Sequence, residues 1–279
     1  MTTKKKYSIR ASSYIINLLG DELIGSDSLA LFEIVKNSYD ADSKIVVIHL
    51  NHILSSDGKI VIEDMGNGMT PDVIEHAWLT IGTDYKRKEL KQSPIYHRTS
   101  LGNKGVGRLA AYRLANKIMV ETQPRDDMFG SMLTINWNSL VRRGSSIEDL
   151  SVDVEHGLTN LIPGGHGTRI TLSDLKCHNW NASKVKSLVS QLQGIQNPFS
   201  VKDNFTIEVK SDEPKVQEWI DSVTPSSEIV KNSLFKFEFS ISQSNNNEDD
   251  FAFLNWNYSF NPINFPVSAK IVQSAKEGK

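Results

Sequence analysis

The sequence predicts an α+β fold in two parts: a mixed or antiparallel sheet covered by helices on one face, then a second, smaller α+β region. Three observations carry this. Helical periodicity dominates the first 41 residues, strand-like runs dominate residues 117–172, and the pattern changes again after Leu175. Helices first and strands afterwards suit helices layered on one side of a sheet.

Residues 11–24 place apolar side chains at helical spacing, and a second helix is expected over 28–41 with Ser26 or Asp27 as its N-cap. Two β-rich runs follow at 44–50 and 59–63. The turn-like Ser55-Ser56-Asp57-Gly58 joins them as a hairpin. Thr70 then caps a helix with Pro71 at its first position, running through Trp78. A polar stretch of roughly twenty residues without pattern comes next, and so long a loop inside a compact domain is usually functional. A helix over 106–115 leads into strands near 117–122, 132–137, 152–155 and 168–172.

Beyond Leu175 a helix over 183–193, a break at Asn197-Pro198 and strands over 205–209, 235–240 and 251–257 mark a second domain over 176–279. Its polar segment 242–250 reads as a loop tip. Trp256, Tyr258 and Phe260 alternate at strand spacing, which points to core packing rather than base stacking. No fixed-period repeat is present. The chain ends on Ala275-Lys-Glu-Gly-Lys without a closing element, as a fragment of a longer protein would.

Composition narrows the class. A chain of 279 residues with 39% hydrophobic and 23% charged residues and a mean hydropathy of -0.33 has the makeup of a soluble globular protein. Length favours two domains. No apolar run approaches a membrane span, and the N-terminus lacks a secretory h-region, so a cytoplasmic, non-membrane protein is expected. The single cysteine, Cys177, excludes an intrachain disulfide and reads as a small semi-buried residue. The seven histidines show no metal spacing. A net charge of -2 gives no overall attraction to nucleic acid. Locally, Lys86, Arg87, Lys88, Lys91, Arg98, Lys104 and Arg108 crowd one stretch with Glu89 opposing them. That is either a solvated loop or a basic flap over a polyphosphate.

Four motifs favour the flap. In Glu33-Ile-Val-Lys-Asn37-Ser-Tyr-Asp40-Ala41, positions i, i+4 and i+7 fall within about 60° on a helix, so Glu33, Asn37 and Asp40 share one face. Ile34, Val35 and Ala41 form the apolar side. Second, Asp64-Met65-Gly66-Asn67-Gly68-Met69 leaves a strand with an acid and two glycines, suited to a turn where backbone approaches a ligand closely. Third, Gly102-Asn103-Lys104-Gly105-Val106-Gly107-Arg108 runs into an apolar helix, where free N–H groups and the helix dipole favour phosphate. Fourth, Gly167-Thr168 opens a strand.

In this order and spacing the four motifs resemble the GHKL superfamily: gyrase B subunits, heat-shock chaperones, histidine kinases, and MutL and MORC ATPases. The resemblance covers about residues 10–175 and implies a Bergerat-type two-layer α/β sandwich over 1–175, with an ATP lid at about 82–105. It implies ATP and Mg²⁺ as ligands. Glu33 matches the acid that polarises the attacking water, and Asn37 the residue that binds Mg²⁺. Asp40 matches a supporting hydrogen-bond partner of the nucleotide. Asp64 resembles the acid that reads the adenine amine, with Gly66 and Gly68 closing backbone around the base and Met69 packing on it. Gly102, Asn103, Lys104, Gly105, Val106 and Gly107 resemble the phosphate-holding box. Thr168 matches the threonine that reaches the adenine site through Asp64 and water. Either Lys86 or Lys104 would approach the phosphates.

The Gly105-Val-Gly107-Arg-Leu-Ala110 run also fits a dinucleotide fingerprint, but a polar loop stands where that motif needs a strand. No P-loop pattern occurs. The first histidine, His49, lies inside the domain, so the acceptor helix that a histidine kinase places ahead of its ATP domain is missing. The expected function is slow Mg²⁺-dependent ATP hydrolysis driving lid closure and N-terminal homodimerisation, with the second domain resembling a transducer. A non-catalytic nucleotide-gated module and a chaperone-like ATPase are the alternatives. A DNA-related or anti-phage role, with DNA or a partner protein contacted outside this segment, extends the resemblance to MutL and MORC proteins.

Overall fold

The computed structural model describes residues 11–81, 92–101, 107–141, 145–195, 205–225, 228, 235–243 and 252–260. The chain divides into two compact units, Met1–Val223 and Thr224–Lys279.

Among the described residues the first unit holds a seven-stranded mixed sheet. Its strands are β1 (Ile45–Asn51), β2 (Lys59–Asp64), β3 (Ala115–Gln123), β4 (Gly130–Asn136), β5 (Val154–Leu158), β6 (Gly167–Leu175) and β7 (Thr206–Ser211), ordered β5-β4-β3-β6-β2-β1-β7. All neighbours are antiparallel except β1 and β7. Strict alternation sets the faces: Val46, Ile48 and Leu50 of β1 and Ile60 and Ile62 of β2 are buried, while the residues between them are half-buried.

The helices are α1 (Ile15–Leu23), α2 (Asp27–Asp40), a short α3 (Pro71–Val73) widening into a π turn (Ile74–Trp78), α4 (Gly107–Leu114), α5 (Trp137–Leu140), α6 (Ala182–Gln193) and α7 (Pro214–Asp221). Helix α2 begins where Ser26 accepts a hydrogen bond from the Leu29 amide at 3.2 Å, and it buries Ala30, Leu31, Ile34, Val35 and Ser38. Each large aliphatic among these stabilises the fold by roughly 1.5–3 kcal/mol through burial. Helix α2 packs on α4 and α6, and α4 also meets α1.

Helix α1 starts four residues later than its periodicity suggests. The Ser13 amide donates to the Ser145 carbonyl and the Ile147 amide to that of Ala11, so residues 11–13 are spent on a bridge to 145–147. The first compact unit continues past Leu175 to Val223. Strand β7 pairs in parallel with β1 and completes that edge of the sheet, and Val185, Leu188, Val189 and Leu192 of α6 join the same core. Asp212 and Glu213 accept hydrogen bonds from the His52 and Leu54 amides, tying the end of β7 to the β1–β2 turn. Helix α7 has no counterpart in the sequence reading, although Pro214 in its first turn is a recognised helix-start residue.

In the second unit, β8 (Phe235–Gln243) and β9 (Ala252–Phe260) form an antiparallel hairpin. The core packing expected of its aromatics is not what the described residues show. Trp256 is 64% exposed and stacks on Phe237 across the hairpin. Two strands make a single layer, and a single layer buries neither face.

Candidate nucleotide-binding site

The register of three neighbouring strands builds the floor of the site. Facing the helices, Ile60, Leu172 and Ile118 form one row across β2, β6 and β3, and Ile62, Ile170 and Val120 form the next. The third row is polar: Asp64, Thr168 and Thr122. Here the apolar column of each strand ends in an acid or a hydroxyl, all three at most 9% exposed.

Asp64 stands at the β2 end of this row, with Thr168 of β6 between it and Thr122. Its Oδ1 accepts from the Gly66 amide at 2.9 Å and its Oδ2 from the Ser38 hydroxyl at 2.8 Å. Burial pushes the Asp64 carboxyl above the ordinary value of 3.8, opposed by the hydrogen bonds from Gly66, Ser38 and the Thr168 backbone and by the charge field of His166. An ionised carboxylate has acceptor sites beyond these, so it can still take a donor such as an exocyclic amine. Thr122 Oγ1 accepts from the Met69 amide at 2.9 Å, donates to the Gly167 carbonyl at 3.1 Å and lies 3.0 Å from Thr168 Oγ1. A hydroxyl has one proton. With that proton on Gly167, Thr168 donates to Thr122 and keeps its own lone pairs for a further donor.

The loop after Asp64 has almost every backbone group engaged. The Met65 amide donates to Ser43 Oγ, the Asn67 amide to the Ala41 carbonyl at 2.7 Å, and the Asn67 carbonyl accepts from the Arg125 amide at 2.9 Å. The Gly66 carbonyl accepts from His166 Nδ1 at 2.8 Å, and the Met65 carbonyl from Arg125 Nη2 at 3.3 Å. Gly68 has φ +66, and a Cβ there would collide with the Gln123 carbonyl, which explains why glycine is needed. Met69 is partly buried against the core.

Above the floor, Glu33, Asn37 and Asp40 lie half-buried along α2, at the border between its buried and solvent sides. The Glu33 carboxylate is paired with Lys36 Nζ at 2.8 Å, one turn on. Asp40 holds the segment around Ser100: its Oδ2 accepts from the Ser100 hydroxyl at 2.9 Å and its Oδ1 from the Leu101 amide at 2.8 Å. Asp42 does the same for the Ile95 and Tyr96 amides.

Arg98, counted by sequence among the basic flap, is instead 5% exposed. It donates to the Ser43 carbonyl at 2.6 Å and to that of Tyr39 at 3.3 Å, and its guanidinium lies 4.5 Å from the Tyr39 ring centre and 4.6 Å from that of Tyr96. A flat, weakly hydrated cation suits burial between rings. Lys86, Gly102, Asn103, Lys104, Gly105 and Val106 lie outside the described residues, and Gly107 opens α4.

The structure therefore brings Asp64, Gly66, Gly68, Met69 and Thr168 to one end of the sheet, with α2 joined to them through Ser38. Sequence reading missed Ser38, Ser43, Thr122, Arg125 and His166. Of these only Ser38 lay within a recognised motif, and its signal was its place on the buried side of α2.

A one-sided α/β sandwich whose inner face ends in a buried acid, beneath a helix with an acid-amide-acid face, defines an ATP-binding domain of the Bergerat type. The family model described as "Histidine kinase-, DNA gyrase B-, and HSP90-like ATPase" matches residues 26–168, about half of the chain. The chain belongs to this ATPase family. It is also 25% identical over 183 residues, 64% of its length, to a protein of Herpetosiphon aurantiacus named "Putative type II restriction enzyme HgiDII". That match spans 28% of the relative's own length. Among the described residues no helix is long and apolar enough to cross a membrane.

Proposed function

We propose that the first unit hydrolyses ATP slowly with Mg²⁺, and that nucleotide binding closes the lid at about 82–105 and joins two copies into a clamp. The observation that carries this reading is the buried Asp64-Thr168-Thr122 row, linked through Ser38 to the helix bearing Glu33 and Asn37. Asp64 accepts a proton-bearing nitrogen of the purine, and Gly66, Gly68 and Met69 enclose the base. Asn37 offers one hard amide oxygen, the kind of ligand Mg²⁺ takes when phosphates and water supply the rest. When bound, the cation neutralises phosphate charge. Glu33 orients and deprotonates water as a general base. Lys86 or Lys104, with the glycine run 102–107, holds the phosphates, and Asp40 stations the lid through Ser100 and Leu101.

A DNA-directed setting, such as defence against foreign DNA in a bacterial cytoplasm, is supported by the likeness to the putative restriction enzyme. DNA or a partner protein would then be contacted through regions outside this segment.

Phosphate release from Mg-ATP, together with sedimentation with and without a non-hydrolysable ATP analogue, tests the proposal. Turnover and an analogue-dependent dimer are expected. ATP binding with neither outcome would leave a nucleotide-gated interaction module. One observation favours that second reading: the carboxylate meant to take a proton from water is already held by Lys36.

A further inference from the structure

Arg125 and His166 lie outside every motif named above, yet both close on the loop after Asp64. Three successive carbonyls of that loop, Met65, Gly66 and Asn67, are taken by this pair. Arg125 Nε also donates to Asn67 Oδ1 at 3.3 Å, and Arg125 Nη1 lies 3.1 Å from His166 Nε2. A carbonyl only accepts, so His166 Nδ1 carries the proton toward Gly66. Its Nε2 then faces Arg125, and the ring is held between the two partners. The two residues come from separate segments, one just past the end of β3 and the other just before β6.

We propose that Arg125 and His166 are positioning residues for base recognition: acting through the Met65–Asn67 backbone, they fix where Gly66 and Gly68 stand relative to Asp64. The inference rests on the reading of Asp64 as the purine-binding acid. The physical need is clear. Two glycines in a five-residue loop leave wide conformational freedom, which is lost again on ligand binding unless the loop is already ordered. Buried contacts from Ser43, Ala41 and Thr122 order the inner side of the loop. The Arg125-His166 pair orders the outer side. Its task is carried by an exposed guanidinium, so the effect falls on affinity rather than on folding.

The test compares the parent with Arg125→Ala, Arg125→Lys and His166→Asn by calorimetric titration with Mg-ATP, turnover at saturating ATP and thermal melting. Arg125→Ala keeps its backbone bond to Asn67 and should weaken ATP binding about fivefold, the scale of one exposed charge-assisted hydrogen bond. Its kcat at saturation should stay within about twofold, because the phosphate end is untouched. Arg125→Lys should recover part of the loss. His166→Asn, whose amide can still reach the Gly66 carbonyl, should lose less than Arg125→Ala. ATP affinity equal to the parent in both Arg125→Ala and His166→Asn overturns the inference, as does a fall in kcat with affinity unchanged. A parent that binds no ATP takes down the underlying site reading as well, so the two failures are distinct. Should Arg125→Ala melt early, His166→Ala, which leaves the Gly66 carbonyl without its donor, decides by the same two readouts.

Discussion

The Ser38 hydroxyl donates a 2.8 Å hydrogen bond to Asp64, so the helix that carries Glu33 and Asn37 is tied by its buried side to the acid at the end of β2. The Glu33-Asn37-Asp40 face of α2 and the buried Asp64 are thereby joined by a single side-chain bond. Ser38 is 3% exposed and 26 residues from its partner. Replacing Ser38 with Ala removes one of three donors from a buried carboxylate. The expected cost is about 1–3 kcal/mol of stability and a weaker hold on ATP, read by thermal melting and titration. Unchanged affinity would separate helix from acid.

Asp64 illustrates a site that costs stability. Its folded pKa is raised, so the native state binds more protons than the unfolded state over the interval above 3.8. The contribution of this residue to stability is therefore present at acid pH and lost as pH rises through the raised value. Asp64→Asn removes the buried charge and keeps the shape. Nucleotide-free protein carrying it should melt at or above the parent temperature at pH 7, by a few degrees if about 1 kcal/mol is recovered, while ATP binding is lost. A variant that melts lower and still binds ATP would contradict both halves.

ATP affinity should fall with pH, because the protonated form of Asp64 loses acceptor capacity toward an amine. In the parent this loss begins above the ordinary carboxylate range, since burial raises the group. Titration of Mg-ATP between neutral and mildly acid pH checks the direction.

Glu33→Ala should retain ATP binding and lose turnover by about a hundredfold or more, the usual worth of a positioned general base. Phosphate release measured beside nucleotide titration makes the distinction. Equal turnover in parent and variant would remove Glu33 from catalysis and favour the gated-module reading.

Thr122→Val deprives the Met69 amide of its acceptor and leaves the Gly167 carbonyl and Thr168 hydroxyl without their shared partner. A loss of about 1–3 kcal/mol is expected from the stranded groups, with reduced ATP affinity. Thr122→Ser keeps the hydroxyl and should restore most of both. Melting curves and titrations of the pair give the answer, and a Ser variant no better than Val would show that the hydroxyl by itself does not account for the loss.

Much of this was legible in the sequence by itself. Glu33, Asn37 and Asp40 share a face because helical spacing alone puts them there. Asp64, Gly66 and Gly68 announce a close-approach turn because glycine tolerates φ values and crowding that other residues do not. The family resemblance and the one-sided sandwich follow from such local patterns. Thr122, Arg125, His166 and the buried Arg98 were legible nowhere, since each depends on partners 40 or more residues away, Tyr39 and Ser43 in the case of Arg98. Strand register sets Thr122 beside Thr168, and packing of the Arg98 segment on the end of α2 turns Arg98 from an apparent phosphate cation into a stacked core residue. Local conformation is encoded by neighbours in the chain; which hydroxyl or guanidinium finishes a site depends on how distant segments align, and only the tertiary structure decides that.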